Sequence, residues 1–136
     1  TVNKTAPKGS AAGKSIAAFA KTRIGDPFST SKRATGKYVD SSYLVNWSVM
    51  QALGKRSSTT AAEQYRSCEN NKRTLKYSSL RAGDLIFYGS TSRKSYKGIW
   101  QVAIYIGGGK SVLATSGGVD IVSAAKGSRV YYGRPY

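Results

Sequence analysis

Asp40-Ser41-Ser42 is where a nucleophile would be sought in this chain, because a strongly apolar helical segment opens at Ser41. A thiol or hydroxyl on the first turn of a helix sits at the positive end of the helix dipole, which favours its anionic, attacking form. A second apolar segment, Ile99-Trp100-Gln101-Val102-Ala103-Ile104-Tyr105-Ile106, reads as a central strand. In a cysteine hydrolase of that layout the helix carries the thiol and the strand carries the imidazole. Here the two places hold a hydroxyl and an amide, and the 136 residues include no histidine. A serine hydroxyl must give its proton to a base, and the glutamine amide is not one. A lysine base is the remaining option for Ser41, but nothing in the sequence places a lysine beside it. The single Cys68 can form no internal disulfide and, without histidine, no conventional zinc site; no cofactor is expected.

The elements that must position these residues follow from pattern and punctuation. Residues 1–14 are rich in Lys, Ala, Gly, Ser and Thr with little to bury, and read as a flexible basic linker or arm. The domain proper is expected over 15–136. A first helix is predicted from about Lys14 to Arg23, with Ile16, Ala17, Phe19, Ala20 and Ile24 apolar and Gly25 as its stop. Asp26-Pro27-Phe28 turns the chain into a polar, basic loop from Ser29 to Tyr38. Asp40 is the expected N-cap of the second helix, whose apolar stripe is Leu44, Trp47, Met50 and Leu53, and Gly54 ends it. Thr60-Ala61-Ala62-Glu63 has capping-box spacing for a short third helix carrying Gln64 and Tyr65. The tyrosines and tryptophans of these helices are read as core.

After Gly83 the period changes from helix to strand. Asp84 to Tyr88 is a short buried strand, a basic loop from Gly89 to Gly98 leads into the strand over 99–106, and Gly107-Gly108-Gly109 makes a tight turn into Ser111 to Thr115. Gly117-Gly118 turns again into Val119 to Val122, and a last strand covers about Arg129 to Arg134. A phosphate loop is set aside for Gly107-Gly108-Gly109, since a strand follows it and not a helix. Helices first, then hairpin-linked strands, predict an α+β domain with helices packed on an antiparallel sheet of five to six strands.

Charge sets the second constraint on function. Twenty-two Lys and Arg against six Asp and Glu give a net +16, and the basic residues divide 8, 6 and 8 among 1–40, 41–80 and 81–136. An excess spread so evenly attracts anionic polymers over the whole surface. Hydrophobic residues make up 40% of the chain, enough for a core, and no apolar run approaches the roughly 18 residues that a membrane span needs. No charged and apolar leader opens the chain, so a signal peptide is expected either to have been removed or never to have been present, and the sequence reads as a mature fragment of something longer.

The order of the pieces resembles the NlpC family of bacterial cell-wall endopeptidases. The matching segments are Gly25-Asp26-Pro27-Phe28, Asp40-Ser41-Ser42, Glu63-Gln64, Leu80 to Phe87, and Val102-Ala103-Ile104-Tyr105-Ile106-Gly107. The resemblance spans roughly residues 14–134 and implies a compact papain-like fold. It also implies a Cys and His pair with a third polar residue, cutting amide bonds in peptidoglycan stem peptides. On this chain the Cys position is Ser41, the His position is Gln101 and the third polar position is Leu113. A family tyrosine is replaced by Phe28, and Tyr43 stands for a glycine, while Asp40 and Ser42 are kept. An inactivating Cys→Ser change would account for Ser41 alone, not for Gln101, Leu113 and Phe28 together.

These substitutions predict a pseudoenzyme. The expected role is binding of peptidoglycan or another anionic wall polymer by a secreted or envelope-held bacterial domain. Phe28, Asp40, Ser41, Ser42, Gln101 and Leu113 are the candidate groove residues. Two alternatives stand beside it: general polyanion or nucleic-acid binding on the same frame, and hydrolysis by Ser41 with a non-histidine base. Whether the groove is open, or is filled by Leu113 and Phe28, is a question for the tertiary structure.

Overall fold

A computed structural model describes residues 9–90 and 96–136; residues 1–8 of the predicted arm and 91–95 of the basic loop lie outside the described residues. Three helices come first: α1 (Ser10–Lys21), α2 (Ser41–Leu53) and α3 (Ala61–Asn70). Six strands follow: β1 (Thr74–Leu75), β2 (Leu85–Gly89), β3 (Ile99–Gly107), β4 (Lys110–Thr115), β5 (Gly118–Ser123) and β6 (Val130–Gly133). They form one antiparallel sheet in the order β1-β6-β2-β3-β4-β5, so β3 is interior, as its apolar run implied. The architecture is the α+β arrangement read from the sequence. No helix of the described residues is long and apolar enough to cross a membrane.

Helix α1 starts at Ser10, four residues before the predicted Lys14, so part of the stretch read as arm is helical. The reason is tertiary. Ala12 and Gly13 are buried, and Gly13 lies against the carbonyl of Ala82 while Gly83 lies against Gly13. Two glycines let the helix backbone meet the turn before β2, and Gly83 adopts φ +93, which suits glycine. Weak helix propensity at Gly13 hides this contact from a sequence reading.

Helix α2 begins and ends as expected. The Asp40 carboxylate accepts from the Tyr43 amide at 2.8 Å, and Gly54 closes the helix in the left-handed region at φ 70. Its buried face is nevertheless offset from the predicted stripe: Leu44, Val45, Ser48, Val49 and Ala52 are buried, whereas Trp47, Met50 and Leu53 are half-buried. A helix apolar on most of its circumference does not announce which side meets the sheet. Trp47 instead joins α2 to α1, edge-on to Phe19 at 6.1 Å and under the guanidinium of Arg23 at 4.5 Å. On α3 the Thr60 hydroxyl accepts from the Glu63 amide at 3.2 Å, as the spacing predicted.

The main core lies between the helices and one face of the sheet, where Ile16, Leu44, Val45, Val49, Leu85, Phe87, Val102, Ile104 and Val112 meet. A smaller cluster of Ile86, Ala103, Leu113 and Tyr132 covers the other face. One charged pair ties the two ends of this frame together. Asp84, fully buried, accepts from Nε and Nη2 of Arg134, each at 2.8 Å, and from the Arg81 amide at 2.7 Å. That clamp joins the start of β2 to the segment after β6.

Candidate functional site

The first turn of α2 is placed against β3 by a direct contact between the two positions of interest. The Val102 amide donates to Ser41 Oγ at 3.4 Å, across 61 residues of sequence. Ser41 is 9% exposed and lines a cavity of about 470 Å³. Asp40, Ser41 and Ser42 form one side of that cavity, Ile99, Trp100 and Gln101 the other, and Phe28, Thr30, Arg33 and residues 60–62 complete it. The structure therefore brings together Phe28, Asp40, Ser41, Ser42 and Gln101 around an open space.

Leu113 does not join them. It is 6% exposed in the smaller cluster with Ile86, Ala103 and Tyr132, and it is absent from the cavity lining. Side chains alternate along β4, so with Val112 and Ala114 committed to the main core, Leu113 is turned to the opposite face of the sheet. Its expected place in the groove is corrected: it seals the sheet's far side and does not plug the cavity. Phe28 lines the cavity and packs on the main core at the same time. Its position is set by the parallel bridge to Val39, in which Val39 donates to the Pro27 carbonyl at 3.0 Å and Ser29 donates to the Val39 carbonyl at 3.1 Å.

Arg33 is a residue of this candidate site that sequence reasoning missed. The polar loop between Phe28 and Val39 folds back so that Arg33 Nη1 donates to both Asp40 oxygens, at 3.1 and 3.0 Å, and to Ser42 Oγ at 2.9 Å. Asp40 also takes the Tyr43 amide and, more weakly, the Ser42 hydroxyl at 3.4 Å. Its carboxylate is thus fully engaged as cap and ion-pair partner, and is not free to act as a base toward Ser41. Among the described residues lining this cavity, Arg33 and Asp40 are the charged ones, and they neutralise each other. No lysine lines it. The only signal in the sequence was a basic loop preceding the capping aspartate.

Trp100 belongs to the strand read as central, yet it is 62% exposed beside the cavity, with its ring 6.2 Å from that of Tyr88. The register between β2 and β3 shifts here, Tyr88 facing Gln101 and Gly89 facing Ile99, so Trp100 is the extra residue that the ladder leaves outward. A flat aromatic face beside hydroxyls and an amide suits a ligand with both apolar and hydrogen-bonding surfaces. From the other side Gln64 braces the site, its amide nitrogen donating to the carbonyls of Ser42 at 3.0 Å and Ser58 at 2.8 Å. Cys68 is remote from this cavity; burial pushes its thiol up to about 12, which makes it a neutral packing group at ordinary pH. Among the described residues no three His, Cys, Asp or Glu side chains group as a metal site requires.

Known proteins with this arrangement can now be compared. The probable endopeptidase p60 of Listeria grayi is 32% identical over 119 residues, which are 88% of this chain and 21% of that protein. NlpC1 of Trichomonas vaginalis superposes with a TM-score of 0.78 at 20% identity, covering 100% of this chain and 48% of its own. RipD of Mycobacterium tuberculosis, described as a non-catalytic NlpC/p60 domain protein, superposes with a TM-score of 0.71 at 23% identity, over 90% of this chain and 96% of its own. The chain therefore spans about a fifth of the Listeria relative and about half of the Trichomonas structure, and the two structural likenesses carry the fold. The sequence profile of the NlpC/P60 family matches residues 25–132, and with that match over most of its length the chain belongs to the NlpC/P60 family.

Proposed function

We propose that this domain is a catalytically inactive member of its family, which binds peptidoglycan or another anionic envelope polymer in the groove beside Ser41 without cleaving it. One observation carries the reading: at the nucleophile and base positions stand Ser41, its oxygen taking the Val102 amide, and Gln101, yet the cavity between them stays open. Removing the nucleophile or base of such a site costs on the order of a million-fold in turnover. An open groove with hydroxyl, amide and exposed tryptophan surfaces retains the means to hold a ligand. RipD, of the same fold, is described as adapted to a peptidoglycan-binding function, so loss of chemistry with retention of binding has a parallel. The proposed place of action is outside the bacterial cell or at its envelope.

Incubation with purified peptidoglycan tests both halves. Co-sedimentation at moderate salt with no release of muropeptides is the expected result; released fragments would show an active enzyme, and absence from the pellet would remove the wall-binding claim. A fluorophosphonate probe checks Ser41 separately, and labelling there would revive a serine hydrolase with an unusual base. The +16 charge supports a second reading, general polyanion binding. Its mark is an affinity that falls steeply with salt and does not respond to changes at Trp100 or Gln101.

A further inference from the structure

A second cavity of about 290 Å³ lies away from the groove, between the α2–α3 connection and the C-terminal segment. Four cations from three separate stretches line it, Lys55 and Arg56 after α2, Arg73 after α3 and Arg134 after β6, and among the described lining residues there is no carboxylate. The ion pairs of the described residues engage Arg23, Arg33 and Arg134, and leave Lys55, Arg56 and Arg73 without a carboxylate partner. Ser58 and Asn71 add polar groups to the same walls. Three exposed like charges without carboxylate partners around one concavity make it attractive to anions. The groove beside Ser41 differs in this respect, its lining charges being one neutralised pair.

We propose that this second cavity is a binding site for a phosphate ester, independent of the groove. A phosphomonoester carries between one and two negative charges at neutral pH and several acceptor oxygens, which matches three cations better than a single carboxylate does. Guanidinium forks take two phosphate oxygens each, and the ammonium supplies a third charge. The cavity has room for several water-sized groups beyond a bare phosphate, so the ester's organic part lies inside it. Its inner wall includes Gln64, whose amide holds the Ser42 carbonyl at 3.0 Å, so an occupant touches the same side chain that braces the groove.

Calorimetric titration of the intact domain with glycerol 3-phosphate, inorganic phosphate and acetate tests the site. Saturable binding of glycerol 3-phosphate, tighter than inorganic phosphate and far tighter than acetate, is expected. Arg56→Ala and Arg73→Ala should each weaken it roughly ten-fold or more, the loss typical of a charged hydrogen bond. Lys110→Ala, an exposed lysine at the start of β4, should leave it within about two-fold, the range of a distant surface charge. Equal weakening by Lys110→Ala, acetate binding as well as phosphate, phosphate binding better than its ester, or no saturation would each overturn the proposal. The three variants leave Ser41, Gln101 and Trp100 untouched, so peptidoglycan co-sedimentation reports on the groove separately.

Discussion

At the scale of single residues, the absent histidine is matched by what its neighbours do instead. Ser41 holds a backbone amide, Asp40 holds a guanidinium and a cap amide, and Gln101 has no basicity, so none of these three offers the Ser41 hydroxyl a free base. Arg33 is the residue on which this arrangement depends most. Arg33→Ala strips a nearly buried carboxylate of its counter-ion, and a loss of about 1–3 kcal/mol in urea unfolding is expected. The same variant should also weaken peptidoglycan retention, because Ser42 loses its donor at the groove. Cys68 provides a pH-dependent prediction. Its thiol is raised to about 12 in the folded protein, chiefly by burial, against an ordinary value of 9.0. The unfolded chain therefore ionises it first, and its contribution to stability is present below pH 9 and lost as pH rises from 9 toward 12. Unfolding free energies of the wild type and Cys68→Ala, followed from pH 8 to 11, should show the wild type falling more steeply. A weaker fall in the wild type would contradict the buried, neutral thiol.

Elements are held by contacts that leave little room for substitution. Helix α1 approaches the turn before β2 through Gly13 and Gly83, where an added Cβ on either would overlap backbone. Gly13→Ala raises helix propensity, so an isolated-helix view predicts stabilisation, whereas the packing predicts a loss of about 1–3 kcal/mol. Thermal unfolding distinguishes the two by sign alone. Capping by Asp40, termination at Gly54 and capping by Thr60 were all legible, because each acts within three or four residues of its helix end. The buried face of α2 was not, since Trp47 and Met50 are as apolar as the residues that meet the sheet. Trp100 escaped for a related reason: a register shift of one residue in β3 turns a strand position outward, and composition does not record it. Trp100→Ala is expected to leave stability within about 0.5 kcal/mol, as for an exposed side chain, while lowering peptidoglycan retention.

For the whole molecule, the Asp84–Arg134 clamp and the charge excess act at opposite ends of the energy scale. Asp84 is fully buried and receives two guanidinium bonds, so Arg134→Met leaves a buried charge unpaired and should cost about 3–5 kcal/mol in chemical unfolding. The hydrogen bonds that Arg134 donates to Asp84 hold its guanidinium above the usual range, so the arginine end of the clamp stays charged. The +16 surface contributes little to the fold and much to association. Retention on an anionic polymer should fall linearly in log affinity with log salt, while specific groove binding should fall less. A retention curve with the same salt slope for the wild type and Trp100→Ala, shifted in affinity, is the expected signature of a groove working together with charge.

By itself the sequence determined the element order, the helix caps, the hairpin turns and the absence of histidine, because each depends on local chemistry or on residue types that are simply present or missing. It also carried the family resemblance, since motif order is kept although the chain has no histidine. Only the tertiary structure decided that the groove is open, that Leu113 faces away from it and that Trp100 stands at its rim. Those outcomes depend on which face each strand residue presents, and a strand reverses faces with a shift of one residue. The pairing of Arg33 with Asp40 and the convergence of Lys55, Arg56 and Arg73 are likewise products of loops folding back in space. A chain so uniformly basic gives no hint, read along its length, of which of its charges will meet.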